Sequence, residues 1–526
     1  MTSILKYLNR ALLVLLLAAF AACSDNEGGN ESNGNGDDGN TETPADGDTY
    51  GYIKDTNGNP VEGVVVSDGY SCTATDAEGR YALTRNADAG FVFYSLPSAY
   101  KVSVDKTYKL PRFFARLQAG TARYDFTLEA LAAPEKRFDL ICIGDPQINE
   151  ASHAVRFKEE AGKEIREYAA SAGVPCYGIT LGDHVNNKWT LFTNMVVALQ
   201  PEQTGVPVFA TIGNHDHEFP TADEKAARAK YESYFGPVDY SFNRGDVHVV
   251  SMDNVIHSCK ASADYEGGFT AAQYEWLKQD LSFVPKDKMV ILCVHIPFRG
   301  GWGTNSAHAD ADKYYDEVLD LLSQYEYAAI MSAHTHSNIN YIHRKNGKEI
   351  FEHVTGTTCG AWWRSTVCTE GTPIGFGLYR IDGNRMEEWA YRSVRHDEQF
   401  QIRLYRASDT FVGGAKYRFK QTGADQIVAN IWNWDPSWTV NVYENDVLSG
   451  QMTRNSDIDA WTVAYHIGLL NNTDSYRKSS DHMFHYTLKN PAAAVRVEAI
   501  DRFGNKYEQT VFTDPAEHPG DFHADF

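Results

Sequence analysis

Between residues 133 and 396, short runs of continuous hydrophobicity alternate with stretches whose apolar residues recur at helical spacing. The runs FDLICIG, CYGITLG, PVFATIG, VHVVSMD, MVILCVH and YAAIMSA have the length and composition of strands buried on both faces. HAVRFKEEAGKEIREYAASAG predicts a helix over 153–173, and TAAQYEWLKQDLSF predicts another, opened by a capping box between Thr270 and Gln273. Such alternation predicts an α/β domain. Residues 49–132 change period to short alternating strands broken at Asn57-Gly58 and Glu78-Gly79, which predicts a small β-sandwich. Strand signals return over 397–526 in QIRLYRA, QIVANIWNW, TVNVYEN, FHYTLKN and AVRVEAIDRFGNKYEQTVF, predicting a second one.

Ahead of these segments lie Lys6 and Arg10, an apolar run from Ala11 to Ala22, and Cys23. The run is shorter than the roughly 20 residues that cross a bilayer, so 1–22 are expected to be an export signal. Phe20-Ala21-Ala22-Cys23 resembles a bacterial lipobox, with Phe20 where Leu is usual. The resemblance implies lipidation at Cys23 and an exported protein anchored in the cell envelope, at the outer membrane, facing the periplasm or the surface. Residues 23–48 are then an acidic, solvated tether with too few apolar groups to collapse. In the following module, TDAEGRYAL resembles the transthyretin-like modules attached to exported hydrolases.

The charge balance narrows the partners. Forty-eight Lys and Arg against 70 Asp and Glu leave a formal charge of −22, which excludes a nucleic-acid coating role. A local cation site can still reverse the sign for a phosphorylated ligand. Of the eight cysteines, Cys142 and Cys293 fall inside strand-like runs, and Cys359 and Cys368 are near enough in sequence to pair.

Five polar clusters each follow an apolar run: Gly144-Asp145-Pro146-Gln147, Gly182-Asp183-His184-Val185-Asn186, Gly213-Asn214-His215-Asp216, His295, and His334-Thr335-His336. Each alone fits a turn, a cap or a hydrogen-bonded core group. In an α/β sheet, however, the carboxyl ends of strands share one edge, so the clusters are expected to converge. Two carboxylates, an amide oxygen and three imidazoles without thiolates suit a pair of divalent ions, Mn, Fe or Zn. Two cations about 3.5–4 Å apart lower the pKa of a shared water, and the hydroxide so formed attacks phosphorus in line.

The ordered set GD-x-Q, GD-x-x-N, GNHD, H and H-x-H resembles the calcineurin-like metallophosphoesterases, and the three-part layout resembles exported bacterial members with N- and C-terminal β modules. The resemblance implies a four-layer α/β/β/α sandwich flanked by two small β-sandwiches, and metal-dependent hydrolysis of phosphomonoesters or phosphodiesters. It implies that Asp145 and His336 bind a first metal, that Asp183 bridges both, and that Asn214, His295 and His334 hold the second. His215 is implied as the group that stabilises the transition state or protonates the leaving group, with Asp216 orienting its imidazole. Two positions depart from the pattern: Gln147 replaces a histidine, a harder and weaker ligand, and Ala333 replaces a glycine.

Around this set, His184 and His217 flank ligands, and Arg299 and Arg364 are candidate phosphate clamps. Trp302, Trp362 and Trp363 are candidate walls for a ring-bearing leaving group. The substrate expected is a phosphorylated small molecule, lipid headgroup or glycan, with the membrane met only through the lipid anchor. The alternative is a non-catalytic glycan- or partner-binding surface lipoprotein that retains a metal site. Lactone or β-lactam hydrolysis calls for a contiguous H-x-H-x-D-H run, which neither HDHEFP nor HTHSNI supplies.

Overall fold

In a computed structural model of the chain, the described residues are 47–299, 313–408, 418–473 and 476–514. The export-signal segment, Cys23, most of the 23–48 tether and Trp302 lie outside them. Two sheets form the centre. One has five strands in the order Val208–Thr211, Cys176–Leu181, Arg137–Ile143, Gly375–Asp382, Arg385–Ser393, the first three parallel. The other has six, in the order Tyr240–Arg244, Val247–Ser251, Met289–Cys293, Tyr327–Ser332, Lys348–Val354, Ile339–Lys345, with a parallel centre. Every apolar run singled out above lies in one of these strands.

Strand alternation sets the layers. Phe138, Leu140 and Cys142 point into a core shared with Val249 and Ile291 of the second sheet. Their neighbours Ile141 and Ile143 point outward, onto Phe157, Ile165 and Phe192 of the helices that cover the first sheet. Helices Ala271–Ser282 and Tyr315–Leu322 cover the other face with Trp276, Leu277, Val318 and Leu322. A side chain of this kind, fully buried, contributes about 1.5–3 kcal/mol. The Thr270–Gln273 capping box is formed.

The helix predicted over 153–173 is two helices, Ala151–Glu159 and Ala161–Ser171. Glu160 interrupts them outside helical geometry, its carboxylate held by Arg156 and Arg395. Gly162 just beyond weakens the helix locally by about 1 kcal/mol relative to Ala.

The N-terminal module has a three-stranded sheet (Arg80–Leu83, Thr49–Asp55, Phe126–Leu128) facing a four-stranded one (Cys72–Ala74, Val65–Ser67, Phe91–Tyr94, Phe114–Arg116). Gly79 turns its hairpin at φ +73, where an added Cβ would stand 2.5 Å from the Ile53 carbonyl oxygen. In the C-terminal module two four-stranded sheets enclose Leu404, Ile427, Val442, Val497 and Tyr507. One element there is absent from the sequence reading: Ala460–Thr462 starts a helical turn, capped by Asp459, that continues as a π-helix over Val463–Leu469. The segment DAWTVAYHIGLL has strand-like composition, but packing Trp461, Val463 and Tyr465 onto Tyr405, Val428 and Met483 favours the helix. The seven described cysteines are free thiols, so Cys359 and Cys368 do not pair. Among the described residues no helix is long and apolar enough to cross a membrane.

Candidate metal centre

The five clusters meet at the carboxyl edge of the two sheets. The first two zip together through backbone bonds, Gln147 N–H donating to Asp183 O at 2.6 Å and Asn186 N–H to Ile148 O at 2.9 Å. Asp183 Oδ1 accepts the His215 N–H at 2.8 Å, and Asp145 Oδ2 accepts the His334 N–H at 3.1 Å. Each carboxylate is thus fixed by the backbone of another cluster.

Three ligand atoms gather around His295 Nε2: Asn214 Oδ1 at 2.9 Å, His334 Nδ1 at 3.1 Å and Asp183 Oδ1 at 3.4 Å. His295 donates its Nδ1–H to Leu181 O at 2.7 Å, which turns the bare Nε2 toward the cluster. On the other side of Asp183, Gln147 Nε2 lies 3.4 Å from Asp183 Oδ2, and His336 Nε2 lies 3.7 Å from Asp145 Oδ1. Asp183 therefore stands between two groups of donors. Asp183, His295 and His334 offer ligand atoms all within 4.8 Å of one another.

The residues present suit divalent cations. Asp145 Oδ1, Gln147 Oε1 and His336 Nδ1 are buried without a hydrogen-bond partner, a costly state for a protein interior. Burial, with the Asp183 charge adding to it and His295 opposing, pushes Asp145 up to about 8. Burial also works against charge on Asp183, but His295, His215 and His334 hold it below the usual carboxylate range. His295 is raised to about 9 against its burial by Asp183 and Asp145, whereas burial lowers His336 to about 3. A cation at each group would satisfy these orphan donors and compensate both carboxylates.

The backbone bends to achieve this. Asp145, Gln147, Asp183, His334 and His336 all have φ between +36° and +67°, a left-handed region costing of order 1 kcal/mol or more for non-glycine residues. Gly182, at φ +94, lies where a Cβ would come within 2.5 Å of His295 Nδ1, so only glycine lets the second cluster approach the fourth.

A cavity of about 170 Å³ opens over the site, lined by Asp183, Gln147, His215, His334, His336, Tyr265 and Trp362. Trp362 packs on the His336 ring at 4.8 Å between centroids. Arg299 and Arg364 are not among the lining residues: Arg299 lies over Tyr341 and Arg364 over Tyr476, the latter donating to Asn472 Oδ1. Trp363 is buried, its indole N–H donating to Pro146 O.

Asp216 does not orient His215. Its carboxylate accepts from the His184 and Val185 N–H groups and contacts His184 Nδ1 at 2.9 Å. In the tight turn Asn214–Asp216, successive side chains point about a third of a circle apart, which separates the two. His215 Nδ1 is instead held by Asn187 Oδ1 at 2.8 Å, and Asn187 Nδ2 donates to Ser262 Oγ. His184 and His217 are both fully buried, His217 spanning Gly213 O and Asp253 Oδ2. Asn187 and Tyr265 were absent from the sequence reading. Asn187 adjoins the second cluster, a usable signal; Tyr265, 3.4 Å from His334 Nε2, arrives from the remote hairpin Val255–His257/Tyr265–Gly267 and has none.

Comparison with known proteins is consistent with this geometry. Residues 125–338 match the calcineurin-like phosphoesterase family, 48–131 its N-terminal region and 352–507 its C-terminal region. Purple acid phosphatase 23 of Arabidopsis thaliana is 26% identical over 181 residues, covering 31% of this chain and 36% of that protein. Purple acid phosphatase 18 of the same plant is 25% identical, covering 32% and 38%. The chain therefore spans little more than a third of the length of these relatives. A dimetal phosphatase from Danio rerio shares 12% identity and a TM-score of 0.34 over 49% of this chain and 98% of that one. With three consecutive regions matched, the chain belongs to the calcineurin-like metallophosphoesterases, an α/β core between N- and C-terminal modules, and is related to the purple acid phosphatases.

Proposed function

We propose that the protein hydrolyses phosphate esters at a site that holds two divalent cations. The observation that carries this reading is the convergence of Asp145, Asp183, Asn214, His295, His334 and His336, with buried ligand atoms left unpartnered on Asp145, Gln147 and His336. Asp145, Gln147 and His336 would hold one cation, Asn214, His295 and His334 the other, and Asp183 both. Such cations acidify water and neutralise phosphoryl oxygens.

The chain's own groups do the rest. Asn187 fixes His215 through Nδ1, which leaves Nε2 toward the cavity as the proton donor to a departing oxygen. Trp362 gives that cavity a flat wall on which a ring-bearing leaving group can stack. The leader and Cys23 support an exported, lipid-anchored protein, which mass spectrometry of the mature N-terminus would test.

Purified protein loaded with manganese, zinc or iron is expected to bind two equivalents and to hydrolyse a nitrophenyl phosphate monoester or diester. Asp183→Asn is expected to lose metal pairing and about 1,000-fold or more in kcat/KM. Unchanged turnover in that variant would refute the assignment.

A further inference from the structure

Arg299, singled out in the sequence but excluded from the metal centre, lines a second cavity. This space, about 290 Å³, lies between the hairpin strand Ile339–Lys345 and the C-terminal module. It is at the small end of ligand pockets, about 300–1,000 Å³. Its walls carry three guanidinium groups, Arg299, Arg344 and Arg454, against a single carboxylate, Asp481. Arg344 is paired with Glu349. Arg299 stacks over Tyr341 at 5.6 Å and Arg454 over Trp434 at 4.6 Å, and among the described residues neither meets a carboxylate. In a chain with a net charge of −22, two guanidiniums that no carboxylate pairs with, against the one wall carboxylate Asp481, leave this cavity net positive, which favours an anion.

Two other lining residues, His482 and Asn340, are buried and polar. Asn430 Nδ2 donates to Asp459, which leaves Asn430 Oδ1 to accept from His482 Nδ1–H at 2.6 Å. His482 Nε2 then has no hydrogen bond, but it faces the buried Glu370 carboxylate at 3.9 Å and is not free for a ligand. Asn340 donates through Nδ2 to Asn433 O at 2.9 Å, while its Oδ1 has no hydrogen bond. Both residues are more than nine-tenths buried. The unfilled acceptor on Asn340 calls for a hydroxyl donor, and guanidiniums without a carboxylate partner, Arg454 donating only to the Asp481 backbone oxygen at 3.3 Å, call for an oxyanion.

We propose that this cavity binds an anionic sugar, a ring carrying hydroxyls together with a carboxylate or phosphate group. The site is separate from the metal centre and does not depend on the hydrolytic reading. The two cavities share no lining residue, and Asn338, between the H-x-H cluster and the hairpin, donates to Trp432 O.

The test is calorimetric titration of chelated protein, and of the Asp183→Asn variant, with glucuronate, glucose 6-phosphate and glucose. At least one of the two anions is expected to saturate at one site per chain, with glucose about tenfold weaker or worse. Which anion binds distinguishes a carboxylated from a phosphorylated sugar. Replacing Arg299 and Arg454 together by Ala is expected to cut affinity about tenfold or more while hydrolysis is unchanged. Arg454→Lys, which keeps the charge, should retain part of the binding and controls for folding. Failure of both anions to saturate, equal binding of glucose, or full affinity in the double variant would overturn the proposal.

Discussion

The two flanking modules attach to the α/β core in different ways. The N-terminal module shares its hydrophobic interior with the core: Phe93 packs on Trp276, Phe113 on Phe209 and Tyr240, and Ile53, Val66 and Leu128 belong to the same continuous cluster as the inter-sheet residues. The C-terminal module has apolar clusters separate from the inter-sheet one, joined to the core at Val367 and where Phe503 packs on Trp389, and it also reaches the core through polar contacts. Those contacts fall on the loops around the metal centre. Asn338 and Asn340 donate to the 432–434 backbone, Lys478 Nζ donates to Thr335 O, Ser365 meets His466, and Tyr476 packs on Trp362. One module is fused to the fold, the other braces the loops that carry the chemistry.

The largest expected effect comes from attacking the fused side. Trp276 is fully buried and its indole N–H donates to Ser67 Oγ at 3.0 Å, so Trp276→Ala should cost about 3–5 kcal/mol in denaturant unfolding. Activity per folded molecule should stay near wild type; a selective loss of turnover would blur the contrast between the modules.

Next comes a pH effect on the braced side. Burial holds the His466 imidazole down at about 4, below its ordinary 6.5, so the folded chain keeps it neutral while the unfolded chain takes up a proton. Stability is therefore lost as pH falls from about 6.5 to 4, at about 1.4 kcal/mol per pH unit from this group, and levels off below. His353 and His482, both lowered by burial to about 3, steepen the same decline. His466→Gln should flatten the slope by one histidine's share in urea titrations at several pH values.

The smallest change sharpens the comparison most. Ser365 Oγ lies 2.6 Å from His466 Nε2 and donates to Val367 O, so Ser365→Ala should cost only about 1 kcal/mol. By loosening the segment that carries Trp362, it should nonetheless lower kcat about tenfold with metal content unchanged, a split visible in steady-state kinetics.

The convergence of the candidate ligands was legible in sequence because each stands directly behind a continuous apolar run, and strand ends in a parallel sheet share an edge. His215 and Asp216 were legible as a pair but not in direction, since adjacent residues in a tight turn diverge. Asn187 was legible from its place beside the second cluster, whereas Tyr265 reaches the site through tertiary placement that spacing does not encode. Arg299 lies outside the lining of the metal-centre cavity for a similar reason: its charge was visible, but its direction depends on Tyr341 in a hairpin more than forty positions onward. The break at Glu160 was hidden because its cause, Arg395, lies in another part of the chain.

Left-handed backbone at the five candidate ligand positions Asp145, Gln147, Asp183, His334 and His336 bears on how such a centre can change. Glycine at any of those positions would sit more comfortably than the residue found there, so selection for folding alone erodes the centre and only catalysis maintains it. A descendant released from its reaction should drift first at these corners, long before its strands lose their apolar pattern.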